Sequence, residues 1–81
     1  MDMDALRKRL TVRRVVLGIS QDALAERMGS SQSYVSRLER GDIKDPGFTA
    51  LTRWCTALDL VMTISLEDPW DATYDSGKGP D

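Results

Sequence analysis

The stretch SQDALAERMGSSQSYVSRLERG, Ser20 to Gly41, decides the fold. It reads as two short helices joined by a tight turn. Leu24 and Met28 are four apart and Val35 and Leu38 three apart, so each pair shares one helical face. Gly29 sits between the pairs, where a turn requires a positive φ that glycine adopts freely. Ala25, one turn earlier, is small enough to let the second helix cross close to the first. Ser20 and Ser31 are suited to N-cap the two helices, and Gly41 to stop the second.

Composition bounds what surrounds this unit. Eighty-one residues suffice for one small domain with a limited core, the kind that leans on tight helix packing or on a second copy of itself. The single Cys55 excludes an internal disulfide and suits a reducing, cytoplasmic setting. No apolar run is long enough to span a membrane, and no signal-peptide pattern is present. With no histidine, no metal-ligand cluster, no phosphate-cradling glycine loop and no nucleophile beside a base, the chain reads as a non-enzyme without a cofactor. The net charge of −2 hides an asymmetry. Met3 to Leu66 carries ten Lys/Arg against seven Asp/Glu, whereas Glu67 to Asp81 carries one Lys against five acids. A basic body and an acidic tail make the overall pI a poor guide to any binding face.

The Ser20–Gly41 pattern resembles the helix-turn-helix of the XRE, or Cro/phage-repressor, family. Counted from Gln21, the apolar positions four, eight, fifteen and eighteen are Leu24, Met28, Val35 and Leu38. Ala25 and Gly29 stand at five and nine, and the SQ opening and ERG ending are Ser20-Gln21 and Glu39-Arg40-Gly41. Ser30, after the turn glycine, departs from the usual apolar residue. The resemblance runs from about Leu6 to Leu60. It implies an all-α, lambda-repressor-like bundle of four to five helices, with residues 1–60 as a DNA-binding domain. It also implies that Arg14 forms a buried pair with Glu39, fixing the reading helix against the first helix, and that Gln21 meets a DNA phosphate at a helix N-terminus.

The remaining elements follow from local signals. Asp4 is placed to cap a first helix running to about Leu17, with Leu6, Leu10, Val15 and Leu17 as its apolar stripe. Arg7, Lys8, Arg9, Arg13 and Arg14 crowd the rest, and all but Arg14 suit a plain solvated face. On the helix from about Ser31 to Arg40, Val35 and Leu38 face inward and Gln32, Ser33, Ser36 and Arg37 outward. Those outward residues suit base edges, since Gln pairs with adenine and Arg with guanine through two hydrogen bonds each. Tyr34 either touches phosphate through its hydroxyl or packs. The resemblance, in which the loop after the reading helix lies near the DNA backbone, implies that Arg40, and Lys44 in the loop Asp42–Gly47, are candidates for phosphate contacts. Pro46 marks the first turn of a fourth helix over about Gly47 to Leu58, with Phe48, Leu51, Trp54, Cys55 and Leu58 facing the core.

Asp59 stands where the family often has glycine, at a left-handed cap. Residues 61–66, VMTISL, alternate and are rich in β-branched side chains, which predicts a short strand with Met62, Ile64 and Leu66 on one face. A lone strand must pair, and the economical partner is the same strand of a second copy across a two-fold axis. The rival reading extends the fourth helix or adds a short fifth one. Residues 67–81 have the composition of a tail, in which Trp70 and Tyr74 are the large apolar anchors, able to pack on the body or on a partner subunit.

The expected function is sequence-specific double-stranded DNA binding, as a homodimeric repressor on an inverted repeat. The competing readings are an antitoxin that uses the tail to hold a toxin, and an interaction adaptor that no longer binds DNA.

Overall fold

The computed structural model describes residues 2–64. Four helices follow one another: α1 (Met3–Val16), α2 (Gln21–Met28), α3 (Gln32–Arg40) and α4 (Phe48–Ala57). There is no strand among the described residues. Val61 to Ile64 run without regular secondary structure, and the rest of the expected strand, Ser65 and Leu66, lies outside the described residues, as does the tail.

Each start is built from nearby residues. Ser20 Oγ accepts from Ala23 N at 3.0 Å, and Ser31 Oγ accepts from Tyr34 N at 3.1 Å. Such caps satisfy donors the first turn leaves free, each typically stabilising by about 1 kcal/mol. The α1 cap is Asp2 rather than Asp4, accepting from Asp4 N and Ala5 N. Asp4 instead pairs within the first turn with Arg7, 2.7 Å away. Pro46 falls outside α4, because Gly47 takes the N-cap position and the helix begins at Phe48.

All four helices end in the same way. A residue just past the helix enters the left-handed region and the chain folds back to the helix's own carbonyls. For α2, Gly29 (φ 68°) donates to Glu26 O at 3.1 Å, and Ser30 donates to Ala25 O at 2.8 Å. For α4 that residue is Asp59 (φ 61°), with Leu60 N donating to Cys55 O at 2.9 Å. Asp59 is the one described residue besides glycine with positive φ.

The core gathers Leu10 from α1, Leu24, Ala25 and Met28 from α2, Val35 and Leu38 from α3, and Leu51, Trp54, Cys55, Ala57 and Leu58 from α4 and its end. Helix α3 packs on α2 and α1, and α4 packs on α2. Burial raises the pKa of the Cys55 thiol above its usual value, so it stays protonated near neutrality. The expected stripes are corrected in two places. Val15 is 61 % exposed and Leu17 stands at the surface, and Phe48 is 61 % exposed. The working stripe of α1 is Leu6, Leu10 and Arg14, spaced four apart on one face. Val12 and Val16 sit two residues either side of Arg14, about 200° round the helix, and so point away.

Candidate nucleic-acid interface

Helix α3 has a buried side and an open side. Val35 and Leu38 are fully buried in the core, on the side of α3 that packs on α2 and α1. Helical spacing then turns Gln32, Ser33 and Arg37 outward, and all three are exposed. Ser36 is half-buried and its Oγ accepts from Arg40 Nη1 at 2.9 Å. Tyr34 is half-buried and packs against the core, so its ring belongs to the body of the domain.

The orientation of α3 is set by charge as well as by apolar burial. Arg14 Nε and Nη2 donate to the two oxygens of Glu39 at 2.6 and 3.0 Å. The third guanidinium nitrogen, Nη1, donates to Ile19 O at 2.8 Å. The two side chains are only 15 % and 6 % exposed, so neither charge has much water to fall back on. Glu39 Oε1 also accepts from Gln21 Nε2 at 2.9 Å, and Gln21 Oε1 accepts from Gln32 Nε2 at 2.7 Å. A chain of hydrogen bonds therefore runs from α1 through α3 and the start of α2 to the exposed first residue of α3. The side chain of Gln21 is engaged in that chain.

At the other end of α3, Arg40 donates from Nε and Nη2 to Asp42 Oδ2 at 3.0 and 2.8 Å. Both partners are more than half exposed. A surface pair of this kind contributes roughly 0–1 kcal/mol, so Arg40 exchanges partners at little cost. Lys44 is exposed in the loop that follows. Gln21 thus starts the helix before α3, Arg40 ends α3, and Lys44 lies in the loop after it, while α3 alone presents Gln32, Ser33 and Arg37. Dimerisation candidates Met62 and Ile64 lie beyond α4, half-buried and exposed respectively, while Leu66 is outside the described residues.

Three arginines carry structural roles that a plain solvated face does not describe. Arg13 Nε donates to Leu58 O at 3.1 Å, and Arg27 Nη1 donates to Ala57 O at 3.0 Å. Helix α4 has no basic residue in its own last turn, so cations from α1 and α2 take the place at its negative end. The Arg7 guanidinium lies over Gly41, where a Cβ would meet it at 2.9 Å. No periodicity in the sequence marks these contacts, since each joins residues far apart in the chain.

No group of His, Cys, Asp and Glu among the described residues is arranged to hold a metal ion, and no helix there is long and apolar enough to cross a membrane. The helix-turn-helix family model matches residues 13–61, well over half of the chain. No curated protein and no solved structure matches the chain.

Proposed function

The chain belongs to the XRE-type helix-turn-helix family and is a DNA-binding transcription regulator of that type, and from that premise we propose that it is a homodimeric repressor reading an inverted-repeat operator. The observation that carries the base-reading part of this proposal is the exposed row Gln32, Ser33 and Arg37 on a helix whose opposite side is locked into the core. Side chains of these types discriminate base edges in the major groove, each good bidentate contact by about 1–3 kcal/mol. Ser36 joins them once Arg40 releases it. Phosphate contacts fall to Gln21, Arg40, Lys44 and the hydroxyl of Tyr34, whose ring stays packed on the domain; these set register but carry no sequence information. For Gln21 the backbone N–H at the start of α2 is the available donor, its side chain being held by Glu39 and Gln32.

A two-fold pairing through Met62, Ile64 and Leu66 would set two α3 helices roughly 34–36 Å apart, one turn of DNA. Occupying a promoter in that way blocks transcription. The test is selection of bound duplexes from a random library at moderate salt, because salt sets the non-specific background. The expected result is an inverted repeat with half-sites one turn apart. A single unpaired half-site would overturn the dimer, and no enrichment by folded protein would overturn sequence reading.

A further inference from the structure

Along the side of α1 that carries Val12 and Val16, with Leu6 and Leu10 at its edge, an open groove of about 650 Å3 runs between α1 and residues 60–62. Its apolar lining includes Val12, Val16, Leu60, Val61 and Met62, together with buried Cys55. Val12, Val16 and Val61 are 59, 72 and 90 % exposed, so apolar surface stands open along the groove. Its charged lining is Lys8, Arg9 and Arg13, and no acidic residue lines it among the described residues.

We propose that this groove is the seat of the same chain's acidic tail, Glu67 to Asp75, with Trp70 and Tyr74 as its apolar anchors. Charge selects this occupant. Glu67, Asp68, Asp71 and Asp75 alternate with the two aromatics, matching three cations beside an apolar floor. A second copy presenting the same groove would bring like charges together. Reach permits it as well. Trp70 is six residues beyond Ile64, so an extended chain spans about 20 Å, close to the ~21 Å length of α1. An aromatic side chain buries roughly 150–250 Å2, so two suffice to cover the exposed valines. The tail in this position sits behind the domain and leaves the outer face of α3 open.

The experiment is NMR on the full chain, using samples that mix labelled and unlabelled copies to separate contacts within a chain from contacts between chains. The expected result is proximity between the Trp70 indole and the Val12 and Val16 methyl groups of the same chain. Trp70→Ala with Tyr74→Ala removes it and shifts those methyl signals, and Lys8→Glu with Arg9→Glu weakens it. Absence of tail–groove contacts, or Val16 methyls contacting only a second chain, overturns the proposal. Retention of duplex selectivity in the Trp70→Ala, Tyr74→Ala variant is also expected, and its loss would overturn the placement behind α3.

Discussion

Arg14 holds Glu39 through two nitrogens, at 2.6 and 3.0 Å, and so ties α1 to α3 across 25 residues of sequence. The pair is nearly dry, and Glu39 serves Gln21 at the same time. Removing one partner strands the other's charge, so Glu39→Ala is expected to cost roughly 3–5 kcal/mol. Arg14→Lys should rescue little, because an ammonium cannot span both carboxylate oxygens and the Ile19 carbonyl. Urea denaturation measures both. A Glu39→Ala midpoint equal to wild type would show that the pair contributes nothing to holding α3.

The Arg37 side chain is exposed and makes no hydrogen bond among the described residues, while its carbonyl accepts from Asp42 N at the end of α3. Arg37→Ala should therefore leave helicity and melting unchanged while removing preference among duplex sequences. Binding titrations against the selected operator and a scrambled one decide the matter. Equal discrimination by the variant would remove Arg37 from the reading surface.

Ile64 is 56 % exposed at the end of the described chain and has no role in the core cluster. If residues 61–66 pair across a two-fold axis, Ile64→Asp places a charge in that seam and the protein becomes monomeric by light scattering. A variant that stays dimeric would sink the strand-pairing idea and point to helix contacts.

Asp59 holds φ at 61°, a conformation that costs an L residue roughly 1–2 kcal/mol and somewhat less for Asp. Glycine adopts it freely but orders more chain on folding. The balance favours Asp59→Gly by about 0.5 kcal/mol. Asp59→Val should lose at least about 1 kcal/mol, since a β-branched residue fits that region poorly. Thermal melts of the two variants should move in opposite directions, and a shared direction would mean that backbone strain is not what matters at this cap.

The hydrogen bond and charge of Arg7 hold the Asp4 carboxyl below its ordinary value of 3.8. A depressed folded-state pKa means that the stabilising contribution is present above the unfolded value and fades as pH falls through the folded one. Titration of the Asp4 carboxyl by NMR should give a midpoint below 3.8, rising toward it in Arg7→Gln. A midpoint indifferent to Arg7 would contradict the pairing.

Much of this was legible in residues a few positions apart. Ser20 and Ser31 cap because their oxygens reach donors three residues on, and Gly29, Gly41 and Asp59 end helices because the turn closes within six residues. Local geometry of that range is written in the sequence, as are the buried sides of α2 and α3. The Arg14–Glu39 link was legible only through the resemblance. What tertiary structure alone decided is how each helix is rotated toward its neighbours. Turning Arg14 toward Glu39 sends Val12 and Val16 outward, makes a groove of them, and puts Arg13 on a carbonyl 45 residues away. Starting α4 at Phe48 leaves that ring in water. Periodicity fixes a side chain's angle about its own helix axis, but which surface stands opposite depends on packing between segments distant in the chain, and no short-range pattern encodes it.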